Sequence, residues 1–312
     1  MRASAVTVLG LGVLSLALAS GCVAKDCETE DGRDAVCVET PERYRSPDFD
    51  QTLVHDYFPG EAVSIDGIYG NIEVVEGAPG EVSATFRPFA YSGQNEDQRA
   101  LDAIRDKLVV PEIELDGDTL LIRSDRTDAA LPLVGADLEI ALPPEFDGAL
   151  VVRNQSRGNW NPGNVDLDYV GFAPSVEVTA GDLSDCEVTG GPDVVYTSVR
   201  CHSDIRVLDV SDDVQIESTG LLGSVTLVLS SIGDQATGGS LSAGEDVSVT
   251  FPSGASFSVE AEAEAPGVVD FGTLPASCSE AVAAETAKSL TCGEGGPLYV
   301  LNADGNVSLS VE

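Results

Sequence analysis

Positive charge is what this chain has least of. Sixteen Lys and Arg stand against 53 Asp and Glu, a formal net charge of −37. Such a chain repels nucleic-acid phosphates and anionic lipid headgroups, which removes both as partners. Aromatic residues make up only 5%, so candidate interior positions fall to Val, Leu, Ile and Ala, a composition suited to a thin interior. Histidine occurs twice, at His55 and His202, and no Cys-x-x-Cys pair occurs, so no zinc-ligand spacing exists. No Gly-rich phosphate loop, EF-hand or Gly-Gly-x-Gly-x-Asp calcium repeat is present. Nothing in the sequence sets a Ser or Cys nucleophile beside either histidine, so the expectation is a protein without catalysis, cofactor or bound metal. Acidity alone would also suit a disordered chain, but 43% apolar residues in regular alternation argue for a folded body.

What the chain does have is a repeat. Residues 174–231 read as rows: Pro174-Ser-Val-Glu-Val-Thr-Ala-Gly, Pro192-Asp-Val-Val-Tyr-Thr-Ser-Val and Asp212-Asp-Val-Gln-Ile-Glu-Ser-Thr-Gly, with anchors at Val176, Val194 and Val214. Each row breaks at a corner (Gly181-Asp182, Val199-Arg200, Gly220-Leu221) and resumes with apolar residues at Val188, at Ile205 and Val207, and at Val225, Leu227 and Leu229. A period of two is that of a strand with one buried face. A two-strand unit of about 20 residues cannot bury its own apolar face, so neighbouring units must stack. The pattern predicts an all-β, right-handed β-solenoid of short Gly-cornered rungs.

The beginning of the chain reads as an address. Residues 1–21 carry Arg2, an apolar run from Ala5 to Ala19 and small residues, the pattern of a secretory signal peptide. Leu18-Ala19-Ser20-Gly21-Cys22 resembles the lipobox of bacterial lipoproteins, with the usual leucine shifted to Leu18. That resemblance implies lipid attachment at Cys22, and Val23 after it implies the outer membrane; ordinary cleavage beside an unmodified Cys22 is the alternative. The other six cysteines fall into local pairs, Cys27–Cys37, Cys186–Cys201 and Cys278–Cys292, read as disulfides in an exported chain. Cys186 and Cys201 sit at different distances from their row anchors, which predicts a bridge between neighbouring rungs.

Residues 22–51 are acidic, lack a sustained period and are expected to form a disordered tether. The body, 52–312, is read as one domain, with strands in Ala62–Val75, where the alternation breaks at Gly67 and Gly70 and resumes, and at Val82–Phe89, Leu120–Arg123, Ala136–Leu142 and Ala149–Arg153. One inserted helix is expected over 94–108, with Asn95 and Gln98 as a capping box and Ala100, Leu101, Ile104 and Leu108 on one face; it would cover an open end or face. The polar turn 154–164 carries Trp160, which either offers a platform for a sugar or partner or folds back on the body. Residues 275–293 are expected to be a short helix or loop, and 297–311 a last pair of strands. Ala136-Asp-Leu-Glu-Ile-Ala-Leu-Pro-Pro, Asp246-Val-Ser-Val-Thr-Phe-Pro, Ile65-Asp-Gly-Ile-Tyr-Gly-Asn-Ile-Glu-Val and Ala303-Asp-Gly-Asn-Val-Ser-Leu together resemble the bacterial putative-adhesin family of unknown function. The resemblance spans 60–312 and implies a β-solenoid with no agreed catalytic residues.

Three functional readings follow. The first is a membrane-anchored envelope lipoprotein, adhesin-like or structural, presenting a long acidic face to an envelope protein or glycan. The second is a β-helix enzyme acting on polysaccharide, for which Arg200 and Arg206 near Asp204 and Asp209 are the hint. The third is a periplasmic accessory lipoprotein in stress sensing. Asp209, Asp212 and Asp213 bracket a corner where Ca²⁺ could bind, although most such clusters are solvated turns.

Overall fold

The structure is a computed structural model, and it describes residues 24–26, 38–40, 42–92, 101–102, 104–106, 111–124, 134–155, 163–181, 183–191 and 193–312. The regular structure of the described residues is strand, with almost no helix. Two large sheets of twelve strands each carry the chain, beside a small antiparallel pair, Ala24–Asp26 with Val38–Thr40.

From Ala62 the chain passes back and forth between the sheets. Ala62–Ile68 lies in the first sheet and Ile72–Glu76 in the second. The same alternation repeats with Leu150–Gln155 and Val165–Leu167, and with Ser175–Ala180 and Cys186–Thr189. It continues with Tyr196–Cys201 and Ile205–Ser211, then Asp213–Ser218 and Val225–Ser231, then Gly238–Ala243 and Val247–Phe251. Each strand pairs in parallel with its counterpart one pass later. Alternate side chains point inward, so Val176, Val178, Val188, Val207, Val214, Ile216 and Leu227 are all essentially buried. Each such side chain contributes about 1.5–3 kcal/mol by leaving water.

The register corrects one anchor. Val176 pairs with Thr197, and Thr197 with Val214. Val194 is buried but lies in the turn before Tyr196–Cys201. Inward Thr197, Val199 and Cys201 set the register, and the hydroxyl at Thr197 hides the row's true start.

The order in space departs from the order in sequence at both ends. Thr119–Arg123 and Val134–Leu142 pair with Ala62–Ile68 and Ile72–Glu76, so this first pass has neighbours on both sides. The last pass, Leu298–Ala303 and Val307–Val311, lies between Gly238–Phe251 and the pass made by Phe257–Ala263 and Val269–Asp270. Antiparallel strands finish the ends. Glu81–Ser92 covers Val134–Leu142 and takes Glu42–Arg45 and Gln51–Asp56 on its far edge. Glu112–Asp116 covers Thr119–Arg123. At the other end, Ala287–Cys292 pairs with Phe257–Ala263, and Cys278–Ala284 lies outermost. Aromatic rings fill the interior near the latter end: Phe251 stacks on Phe257 at 4.2 Å, with Tyr299 edge-on at 5.1 Å.

Two further expectations change. The unstructured tether of 22–51 is overtaken from Glu42 onward, where the chain joins the second sheet; Arg43 lies 3.8 Å over the Phe89 ring and pairs with Asp137. Residues 278–292 form a hairpin instead of a helix or loop, because the unpaired edge of Phe257–Ala263 offers backbone partners that outweigh the helix preference of an alanine-rich run. Of the expected helix, 101–102 and 104–106 are helical. Ile104, with Leu101, packs on Ala90 and Val134 beside Tyr44 and Phe49, so it covers the second sheet. Trp160, Cys22, Cys27 and Cys37 lie outside the described residues.

Candidate interaction face

The corner leading into the second sheet carries a column of polar side chains. Asn71, Asn164, Asp185, Asp204, Ser224, Asp246 and Asn306 each stand immediately before the first residue of a second-sheet strand. At this corner one backbone N–H per pass has no carbonyl in its own sheet ladder, and the neighbouring side chain accepts it. Asn71 N–H donates to Asp137 Oδ1 at 2.9 Å, Asn164 N–H to Asn71 Oδ1 at 3.2 Å, and Asp185 N–H to Asn164 Oδ1 at 3.1 Å. Asp204 N–H donates to Asp185 Oδ1 at 3.2 Å and Ser224 N–H to Asp204 Oδ1 at 2.9 Å. Past Ser224 the same pattern resumes with Asn306 N–H to Asp246 Oδ1 at 2.6 Å and Val268 N–H to Asn306 Oδ1 at 3.1 Å. Asn and Asp suit this place because a short carbonyl-bearing side chain reaches a backbone N–H one strand away. Buried Asn154 braces the first corner, its Nδ2 donating to the carbonyls of Gly70 and Gly163.

Beside this column lies a groove of about 490 Å³, lined by Asp166, Asp185, Glu187, Asp204, Arg206 and the hydroxyl-bearing Ser224 and Thr226, among others. Asp166, Glu187, Arg206 and Thr226 hold equivalent outward positions on successive strands. Arg206 donates to Glu187 Oε1 at 2.9 Å. Partial burial of the Asp166 carboxyl, with Asp168, Glu187 and Glu73 nearby, pushes its pKa above the usual carboxylate range. The groove is therefore a strip of negative charge crossed by one arginine and ending in hydroxyls.

The residues singled out by sequence are dispersed. Arg200 lies on the first sheet, 3.2 Å from Glu217, whereas Arg206 lies on the second, so the arginine pair behind the polysaccharide-enzyme reading is not assembled. Asp212 Oδ1 accepts Gly233 N–H at 2.5 Å, and Asp213 accepts Thr237 N–H, Thr237 Oγ1 and Gly238 N–H. These two carboxylates hold the 232–238 turn, and among the described residues no group of three or more His, Cys, Asp or Glu is arranged to hold a metal. His55 Nε2 faces Glu61 at 3.4 Å, in the end cap. His202 takes part through its carbonyl, which accepts Gly220 N–H and Ser218 Oγ.

Among the described residues two disulfides are present. Cys186–Cys201 joins the two sheets across the interior between neighbouring passes, with Cα atoms 6.3 Å apart. Cys278–Cys292 joins directly opposed residues of the end hairpin. The polar column is the element that reading by apolar anchors passed over. Its signal was present: an Asn, Asp or Ser directly before a β-branched, Leu or Cys position, recurring about every 20 residues from Asn164 to Asp246.

No family model matches this chain, and no curated protein does. Among solved structures it is similar to a putative adhesin from Bacteroides fragilis, with 12% identity, 84% of this chain and 97% of that one covered, and a TM-score of 0.36. A putative cell adhesion protein from Clostridium sporogenes shows 10% identity over 84% of this chain and 100% of that one, with a TM-score of 0.27. A putative lipid binding protein from Parabacteroides distasonis shows 11% identity over 83% and 96%, with a TM-score of 0.25. Similarity at this level assigns neither a family nor an activity. No helix among the described residues is long and apolar enough to cross a membrane.

Proposed function

We propose that the chain is a non-enzymatic, adhesin-like lipoprotein of the bacterial cell envelope. In this reading it is a right-handed β-solenoid, held at the outer membrane by acyl chains on Cys22, whose acidic outer face binds an envelope partner. Residues 1–21 are the export signal, and the body from 52 to 312 acts as one domain. The observation that carries the reading is the parallel register of Asp166, Glu187, Arg206 and Thr226 beside the polar column. Parallel stacking yields a long surface with a constant repeat, which suits a partner that is itself extended more than it suits a small molecule held in a deep pocket. The carboxylates and hydroxyls of the groove match a cationic or hydroxyl-rich partner, an envelope protein or a glycan.

Metabolic labelling with a fatty acid, followed by protease treatment of intact cells, tests the anchor. Label on the wild type and none on Cys22→Ser supports it; equal labelling of both removes it. Binding of the purified protein to envelope fractions tests the face. Glu187→Lys, which reverses one charge in the groove, is expected to weaken binding at least severalfold, and unchanged binding would overturn the assignment of this face.

A further inference from the structure

The two ends of the first sheet differ in their chemistry. At one end the outermost strand is Glu112–Asp116, Glu-Ile-Glu-Leu-Asp, with Arg123 holding Glu112 and Glu114, each at 3.0 Å. Charged side chains on an edge discourage another strand from pairing there. At the other end the outermost strand is Cys278–Ala284, Cys-Ser-Glu-Ala-Val-Ala-Ala. All its residues after Cys278 are exposed, Val282 at 62%. Its single ionisable group, Glu280, is held by Lys288 of the adjacent strand at 3.0 Å. Among the described residues nothing pairs with its outer edge, so half of its backbone N–H and C=O groups point away from the sheet.

We infer that Cys278–Ala284 is a self-association edge, pairing antiparallel with the same strand of a second copy and centred on Ala281. In that register Cys278 faces Ala284, Ser279 faces Ala283, and Glu280 faces Val282, so no two acids stand directly opposite; the Cys278 N–H already goes to the Pro275 carbonyl, and the ladder rests on the residues after it. Each Glu280 keeps its own Lys288, and the two Val282 side chains lie diagonally across the junction, shielding one another. Charge favours a second copy over a basic peptide as occupant. A cation would be drawn to the acidic surface of this −37 chain at large, whereas on the edge strand itself Lys288 offsets the one carboxylate, the next acids being Glu260 and Glu262 two strands in and Glu285 at the hairpin tip. Two copies can approach only where repulsion is least, and a seven-residue edge offers such a place at the end of the molecule. The contact is small, so the association is weak.

The charge argument fixes the salt dependence. Adding salt shortens the screening length from about 10 Å at 0.1 M to about 3 Å at 1 M, so self-association should strengthen with salt, whereas capture of a basic peptide should weaken. The experiment is sedimentation equilibrium of the purified protein over a wide concentration range at both salt levels. The expected result is a twofold rise in mean mass with concentration, reached at lower concentration in high salt. Ala281→Glu sets two carboxylates directly opposite at the two-fold axis and should hold the protein monomeric. Gln215→Glu adds the same charge on an exposed position of the same sheet, five strands away, and should behave as the wild type. Ala281→Cys gives the geometric check: oxidation should link two chains through position 281. A monomer at every concentration and salt level, or a dimer unaffected by Ala281→Glu in a variant with wild-type circular dichroism, overturns the inference.

Discussion

Asp166 is a residue whose charge works against its surroundings. Its carboxyl is raised above the usual range by burial first, then by Asp168, Glu187 and Glu73. The folded state thus holds this proton more tightly than the unfolded chain does. Stability falls as pH rises from the unfolded pKa through the folded one, and the penalty is complete above it. Asp166→Asn should therefore raise the unfolding midpoint at pH 7, by a margin that shrinks toward pH 4; thermal melts at both values check this. Thr197 makes a second case. It is fully buried between Val176 and Val214, and its Oγ1 has no hydrogen-bond partner. Thr197→Val replaces an unsatisfied hydroxyl with a methyl of the same shape and should stabilise by about 1 kcal/mol in chemical denaturation.

At the scale of elements, corners decide what the strands can do. Gly238 opens the strand Gly238–Ala243 at φ +105°, and an added Cβ would collide with the backbone of Leu298 in the inserted last pass. Gly238→Ala should cost about 3 kcal/mol from backbone strain and displacement together, read as a lower denaturant midpoint. At the same corner Asp212 and Asp213 hold the turn: their oxygens accept N–H groups of Gly233, Thr237 and Gly238, donors that a turn this tight leaves without carbonyl partners. The hairpin Cys278–Cys292 makes the complementary point. Its alanines favour a helix in isolation, yet the open side of Phe257–Ala263 supplies a ladder of hydrogen bonds, and the disulfide closes the hairpin's open end.

At the scale of the whole molecule, both the first and the last pass of the stack lie inside it. Leu298–Ala303 and Val307–Val311 separate Gly238–Phe251 from Phe257–Asp270, so the sheets are continuous only once the last residues are in place. Ending the chain at Gly296 should therefore do more than fray one end. It removes Tyr299, Leu301, Val307 and Leu309 from the core and exposes strand edges on both sides of the gap. The expected outcome is loss of a single cooperative unfolding transition, checked by calorimetry and by proteolysis of the region after residue 252.

The sequence by itself determined the period, the alternation and the corners. Inward Val, Ile and Leu every second residue, broken by Gly and Asp about every 20, admit few arrangements besides parallel strands stacked pass upon pass. The local cysteine pairs Cys186–Cys201 and Cys278–Cys292 were legible too, because short chain separations limit what each thiol can reach. The polar column was present in the residues but hidden from a reading based on apolar anchors, since its function is to accept N–H groups from another pass. Tertiary structure alone decided that Thr197, not Val194, aligns with Val176, that the chain from Glu42 joins the second sheet, that Arg200 and Arg206 part to different sheets, and that the last pass slips between two earlier ones. The physical reason is common to all four. Each depends on which unpaired strand edge is available when a segment arrives, and an edge belongs to the assembled sheet and to no local stretch of sequence.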